Sequence, residues 1–277
     1  MSKKLIDLYN ELSSLANIHN KEKEGVKLLL LEYLDYEEKD LIINKDILVE
    51  DSKVNGLTNL VNSYVFDNIP PQYLLGYTYF YSLKIKVNKD VLIPRFDTEV
   101  LVDKVLEHLD DAKTLIDVGC GSGAIALAIK NERRNLKVSG VDISSEAINV
   151  ANLNKKELNL DVNFFQNDLL NGLDRFDIIV SNPPYISKND IISDLVYQNE
   201  PHLALFSEEN GLYFYRKILE TATLHLNKNG KIFFEFGYNQ KEMISKLIKE
   251  ILPNSVTTFY KDYGDNWRVA YIEVNNA

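Results

Sequence analysis

The stretch Thr114-Leu115-Ile116-Asp117-Val118-Gly119-Cys120-Gly121-Ser122-Gly123, followed by Ala124-Ile125-Ala126-Leu127-Ala128-Ile129, constrains the fold of this chain more than any other. Its first five residues have the apolar, β-branched character of a buried strand, and its last six have that of a helix. Between them the glycines permit a sharp turn and leave the backbone open to a ligand, because no Cβ stands in the way. The helix start turns free N–H groups toward the same place. Strand, glycine turn and helix in this order predict an α/β unit with a nucleoside cofactor at the strand's carboxyl end. With Ala124 the turn also satisfies the dinucleotide pattern G-x-G-x-x-G/A. The next strand, Lys137-Val138-Ser139-Gly140-Val141, ends in Asp142, at the offset of about twenty residues where an acidic side chain meets ribose hydroxyls. NAD and S-adenosylmethionine both carry that ribose, so these residues leave the choice between them open.

A second strand end makes the choice. The run Phe176-Asp177-Ile178-Ile179-Val180 leads into Ser181-Asn182-Pro183-Pro184-Tyr185. Asn182 offers a carbonyl acceptor beside an NH2 donor. Pro183 and Pro184 stiffen the chain and present carbonyls without competing N–H groups. A planar NH2 group placed there donates both hydrogens, and Tyr185 supplies an aromatic face for a flat amide or base. Alone, Asn-Pro reads as a turn that ends a strand. Beside a nucleoside site it serves an acceptor nitrogen and has no evident use in hydride transfer, which favours S-adenosylmethionine and N-methylation. An amide lone pair is delocalised, so attack on a sulfonium methyl needs alignment and local polarisation rather than a strong base.

With Asp117-Val118-Gly119-Cys120-Gly121-Ser122-Gly123, Asp142 and Asn182-Pro183-Pro184-Tyr185 in order, the chain resembles class I S-adenosylmethionine-dependent methyltransferases. Four further stretches resemble the bacterial peptide chain release factor glutamine N5-methyltransferases of the HemK/PrmC type. They are Pro71-Gln72-Tyr73-Leu74-Leu75-Gly76, Val91-Leu92-Ile93-Pro94-Arg95-Phe96-Asp97-Thr98-Glu99, Glu200-Pro201-His202-Leu203-Ala204-Leu205 and Asp262-Tyr263-Gly264-Asp265-Asn266-Trp267-Arg268-Val269. Phe96 departs from the family, which has a second proline after the arginine. The resemblance implies a Rossmann-like seven-stranded sheet whose final antiparallel hairpin would be Ser255–Phe259 and Arg268–Val274. It implies methyl transfer from S-adenosylmethionine, leaving S-adenosylhomocysteine, to the glutamine of the release-factor Gly-Gly-Gln motif. Asn182, Pro183 and Tyr185 would then be catalytic, and with Pro184 they would bind the glutamine amide. Gly119, Cys120, Gly121, Ser122 and Gly123 would shape the pocket, Asp142 would accept from the ribose, Asp168-Leu169 would flank the adenine, and Asn182 would border the cofactor. Cys120 reads as a small buried filler, since no histidine stands near it in a catalytic motif.

Domain organisation follows from pattern breaks. Residues 1–72 are expected to form a helical bundle that docks substrate, with one stripe at Leu5, Leu8, Leu12 and Leu15 and another at Val26, Leu29, Leu30, Tyr33 and Leu34. Pro70-Pro71 interrupts helical continuation. Tyr77, Tyr79 and Tyr81 alternate, as do Leu83, Ile85 and Val87, so residues 73–90 read as a β-hairpin linker. The methyltransferase domain is placed at 91–277, with Asp97 or Thr98 capping a helix through Leu109. Arg95 and Glu99 either line the substrate entrance or form a surface pair.

Charge and cysteine content bear on partners. A formal net charge of −10 disfavours sequence-independent phosphate binding, so no direct nucleic-acid contact is expected. His19, His108, His202 and His225 are scattered and Cys120 is alone, which predicts neither metal site nor intramolecular disulfide. Asp7 and Glu11 interrupt any signal-peptide pattern, and a cytoplasmic monomer without membrane attachment is expected. Two other acceptors suit the same pocket: a glutamine of a large-subunit ribosomal protein and the amino group of a nucleic-acid base. Asp97-Thr98-Glu99 favours the release-factor branch, and a base would require flipping and a basic surface.

Overall fold

The computed structural model describes residues 2–274. They form two compact units, one running to Tyr77 and including Ile192–Asn199, the other comprising Thr78–Ile191 and Glu200 onward.

In the first unit, helices Leu5–Ile18, Lys23–Leu34 and Asp51–Val65 bury one stripe each. Leu5, Leu8 and Leu12 meet Val26, Leu29, Leu30 and Leu34, and Val54, Leu57 and Val61 close the core. Of the residues read as stripe members, Leu15 lies at its edge and is partly buried, while Tyr33 is exposed. Pro71 does not simply break a helix. It is the first residue of the short helix Pro71–Leu75, where its missing N–H has no intrahelical partner to lose. The helix Asp194–Asn199 joins this unit from far along the chain. Leu195 packs on the helical core, Asn199 Nδ2 donates to the Asn68 carbonyl at 2.7 Å, and Asn68 Nδ2 donates to Gln198 Oε1 at 2.8 Å.

A hairpin pairs Tyr77–Phe80 with Leu83–Lys86, a narrower span than the expected 73–90. Tyr81 and Ser82 both have positive φ and make the tight turn that suits two twisted strands. Tyr81 therefore leaves the strand alternation, and its hydroxyl donates to Asp103 at 2.9 Å.

The second unit is built on seven strands, numbered here in chain order: β1 Thr114–Val118, β2 Lys137–Asp142, β3 Val162–Gln166, β4 Phe176–Ser181, β5 Leu226–Glu235, β6 Val256–Lys261 and β7 Trp267–Glu273. Their order across the sheet is β6-β7-β5-β4-β1-β2-β3. β7 runs antiparallel to both β5 and β6, so the last two strands form the expected hairpin with slightly shifted bounds. The inner strands read as unbroken apolar runs because both faces are covered: Leu115, Ile116, Ile178, Ile179 and Val180 are fully buried. Strand order reverses between β1 and β4, and ligands of such sheets bind at the carboxyl ends there.

The helix expected to begin under an Asp97 or Thr98 cap runs Glu99–Glu107 behind a tight 3-10 turn at Phe96–Thr98. Neither side chain caps it. Asp97 is drawn to Arg268 and Thr98 to Asn182. Among the described residues no helix is long and apolar enough to cross a membrane.

Candidate active site

At the carboxyl end of β1 the chain turns back along β2, and the Gly119 and Cys120 amides both donate to the Val141 carbonyl, at 2.8 and 2.9 Å. Gly119 and Gly121 have φ of 74° and 51°, and a Cβ on either would meet nothing within 4 Å. Space therefore stands open above the turn, and the left-handed backbone is what requires glycine there. Gly123 shares the left-handed backbone, at φ 79°, and a Cβ on it would in addition come within 2.6 Å of the Phe164 ring, so glycine there serves the turn and also the close packing of helix on sheet. Ser122 and Cys120 are buried in the turn, and burial pushes the Cys120 thiol well up, away from nucleophilic use.

Asp142, ending β2, accepts from the Gly121 amide at 2.9 Å and the Ser144 amide at 3.0 Å. Burial raises its pKa against the pull of these donors. Its carboxylate thus shapes the turn while keeping lone pairs for a ligand. Asp117 lies beneath the turn, fully buried, with its pKa pushed up to about 7 by desolvation. Its Oδ2 accepts from the Ala126 amide at 3.3 Å, and its Oδ1 has no partner among the described residues. Leu169, beyond β3, holds a φ of 50°. That is rare for a bulky side chain and is a feature that concentrates at functional sites. Asn167 Nδ2 secures this loop through the Leu169 and Asn171 carbonyls. Open glycine turn, carboxylate and strained apolar residue fit the ribose and adenine of a nucleoside cofactor.

The other half begins where Ser181 Oγ donates to the Val118 carbonyl at 2.6 Å, joining the ends of β4 and β1. Asn182 and Gly119 each follow directly on that contact. Pro183 is buried, and Asn182, Pro184 and Tyr185 are partly covered. Gln240 holds the loop from behind: its Nε2 donates to the Tyr185 carbonyl at 2.9 Å and its Oε1 accepts from the Gly237 amide at 3.0 Å. Gly211, at φ 88°, allows this approach, since a Cβ would stand 2.2 Å from the Tyr185 carbonyl oxygen. Burial, with a contribution from Glu235, pushes the Tyr185 phenol up to about 12, so it presents a neutral ring.

Side chains remote in sequence converge on this loop. Asn182 Nδ2 donates to Thr98 Oγ1 at 3.4 Å. Arg268 on β7 donates to Asp262 Oδ2 through Nε and Nη2, both at 3.0 Å, and through Nη2 to Asp97 at 3.2 Å. Asp262 Oδ1 in turn accepts from the Gly264 and Asn266 amides. The stretches around Asp97 and Asp262-Arg268, which resemble the family separately, are thus one ion network. Arg95 and Glu99 do not pair with each other. Arg95 bonds the buried Glu200, which also accepts from the Ile93 amide at 3.2 Å, while Glu99 accepts from the Tyr81 amide at 2.7 Å. Phe96 is exposed, its ring 5.3 Å from that of Tyr263.

Sequence reasoning missed Glu235, Gln240 and Gly211. Glu235 had a signal: a lone carboxylate in the apolar run Ile232-Phe233-Phe234-Glu235-Phe236, at the carboxyl end of a central strand. Gln240 and Gly211 lie in loops whose pairing no local pattern announces. Among the described residues no group of three or more His, Cys, Asp or Glu is arranged to hold a metal ion.

Residues 96–208 match the family model for the methyltransferase small domain. A release factor glutamine methyltransferase from Streptococcus pneumoniae is 43% identical over 202 residues, 71% of this chain and 72% of its own length. One from Enterococcus faecalis is 32% identical over 279 residues, 99% of this chain and 100% of its own. Among solved structures, a methyltransferase from Pyrococcus furiosus shares the fold, with a TM-score of 0.54 at 20% identity over 83% of this chain and 100% of that one.

Proposed function

The chain belongs to the release factor glutamine methyltransferase family, and from that premise we propose its reaction. It transfers the methyl group of S-adenosylmethionine to the side-chain amide nitrogen, N5, of the glutamine in the Gly-Gly-Gln motif of peptide chain release factors. The feature that most supports this reading is the 2.6 Å bond from Ser181 to the Val118 carbonyl, because it unites the strand end fit for a nucleoside with the strand end fit for an amide.

Gly119, Cys120, Gly121, Ser122 and Gly123 would form the wall of the cofactor pocket, Asp142 would accept from the ribose, and Leu169 would cover the adenine. S-adenosylmethionine, when bound, supplies an electrophilic sulfonium methyl. Asn182 Oδ1 and the Pro183 carbonyl accept the two N–H bonds of the glutamine amide, pointing its nitrogen at the methyl. The same acceptors favour the positive charge that grows on the nitrogen as the C–N bond forms, a stabilisation greater in the transition state than in the ground state. Tyr185 packs on the amide plane, and Pro184 keeps the loop rigid. After transfer the methylated nitrogen gives up its proton to solvent.

Residues 1–72 serve as the docking surface for the release factor and 73–90 as the linker. The enzyme works as a monomer in the cytoplasm, where release factors act, without membrane or direct nucleic-acid contact. The test is incubation with labelled S-adenosylmethionine and purified release factor, ribosomal protein or RNA in parallel, followed by mass mapping. Label on the Gly-Gly-Gln glutamine is expected, and label only on RNA or the ribosomal protein would overturn the assignment.

A further inference from the structure

Glu235 is 2% exposed, and its Oε2 has no hydrogen-bond partner among the described residues. A buried carboxylate without full pairing is costly, and in a native protein it calls for an explanation. The fold does not supply one. The Glu235 backbone is anchored independently, its carbonyl accepting from the buried Tyr215 hydroxyl at 2.7 Å, and its neighbours Phe234 and Phe236 already fill the core. The sheet register gives the side chain its place: Phe234 of β5 pairs with Ser181 of β4, so Glu235 and Asn182 are the next residues along two adjacent strands. The Thr98 hydroxyl and the Asn182 amide face the carboxylate, and Arg268 and Asp97 contribute charge from further off.

Asn182 has two faces that differ only in hydrogen-bonding sense, and a side-chain amide that flips would offer NH2 to a substrate NH2. Thr98 cannot prevent the flip, because a hydroxyl donates as readily as it accepts, and its 3.4 Å bond to Nδ2 is long. An ionised carboxylate is acceptor-only. It attracts Nδ2 and repels Oδ1, so it selects one orientation.

We propose that Glu235 is a positioning residue for the acceptor, holding the Asn182 amide with Nδ2 turned into the protein and Oδ1 turned toward the substrate nitrogen. The proposal rests on the reaction assigned above. It explains why a central strand carries a carboxylate at the one step next to Asn182, where a leucine or glutamine would bury at less cost.

Glu235→Gln keeps the shape and replaces the acceptor with a group that donates, whereas Glu235→Asp keeps the acceptor and alters the shape. A packing role ranks Gln above Asp, and an orienting role ranks Asp above Gln. With saturating cofactor and intact release factor, Glu235→Gln is expected to lower kcat by about 10- to 100-fold while leaving the calorimetric affinity for S-adenosylhomocysteine and the melting temperature no worse than wild type. Glu235→Asp is expected to retain more turnover. Independently of any substrate, the Asn182 side-chain NH2 resonances, assigned by their loss in Asn182→Ala, are expected to shift and exchange faster in Glu235→Gln. Wild-type turnover in Glu235→Gln, Asp ranking below Gln, or unchanged Asn182 resonances would overturn the proposal. Absence of label on the release factor with wild-type enzyme would instead overturn the assigned reaction, and the resonance comparison would still decide the role of Glu235.

Discussion

The two halves of the proposed site are built in opposite ways. The cofactor half is made of backbone and near neighbours: the glycine turn bonds to Val141, Asp142 bonds to Gly121 and Ser144, and each contact spans little more than one strand–helix unit. The acceptor half is made of side chains brought from every part of the methyltransferase unit. Thr98, Gly211, Glu235 and Gln240 surround a loop at 182–185, and the Arg268 network anchors the segment that carries Thr98. In the proposed reaction, a cofactor common to many enzymes would be held by one local unit. An acceptor amide, which must be oriented as well as bound, takes its geometry from tertiary structure.

Substitution can break this contrast, and the largest effect falls at its centre. Asn182→Ala should leave cofactor affinity nearly intact and remove about 2 to 4 kcal/mol of transition-state stabilisation, a 30- to 1000-fold loss of turnover. Steady-state kinetics beside calorimetry would show it, and wild-type turnover would remove Asn182 from the mechanism. Asp142→Ala should do the reverse, weakening cofactor binding by about 1.5 to 3 kcal/mol. Part of that loss would come through the turn itself, since Gly121 and Ser144 lose their acceptor. Unchanged affinity would contradict the ribose role.

A pH profile sharpens the comparison. Burial pushes Glu235 up to about 7, against the Thr98 hydroxyl, Arg268 and the Asn182 amide and with help from Asp97. Its acceptor character is lost as pH falls through that value. At saturating cofactor, kcat should therefore rise with pH through about 7, and the step should vanish in Glu235→Gln. Stability should move the other way. The folded-state pKa is raised, so the unfolded chain gives up this proton first, and stability declines as pH climbs from the ordinary carboxylate range toward about 7. Glu235→Gln should consequently gain on the order of 1 to 3 kcal/mol relative to wild type between pH 5 and pH 8, read from denaturant melts at both values. An equal difference at both would place the carboxylate in a solvated setting.

What was legible in the chain follows the same division. The individual strands and the glycine turn show in sequence because apolar runs and positive-φ glycines are local requirements, whereas the seven-stranded sheet and its closing hairpin were expected only from the family resemblance. The Asp97 and Thr98 caps did not form because each side chain found a stronger or more distant partner, Arg268 for one and Asn182 for the other. Tyr81 left its strand because the hairpin needed two left-handed residues. The return of 194–199 to the helical unit rests on Leu195 and the amides of Asn68 and Asn199, and nothing in the intervening chain signals it. It also means that deleting residues 1–72 would strip Leu195 of its packing, so truncation is a poor measure of docking. Glu235 was visible as a misplaced charge, yet the role proposed for it emerged only when β4 and β5 were aligned.

The central claim is that the acceptor half can be disturbed without touching the cofactor half, and Thr98→Val addresses it most directly. The change keeps shape and removes a buried hydroxyl that faces both the Glu235 carboxylate and Asn182 Nδ2, so that with its one proton turned to Glu235 it can only accept from the amide. The position is remote in sequence from both strand ends. Calorimetric titration of S-adenosylhomocysteine into this variant, with kcat measured on the same preparation, should give an affinity within about twofold of wild type and turnover lowered about tenfold. A loss of affinity as large as the loss of turnover would show that the two halves are one coupled site, and would contradict the account.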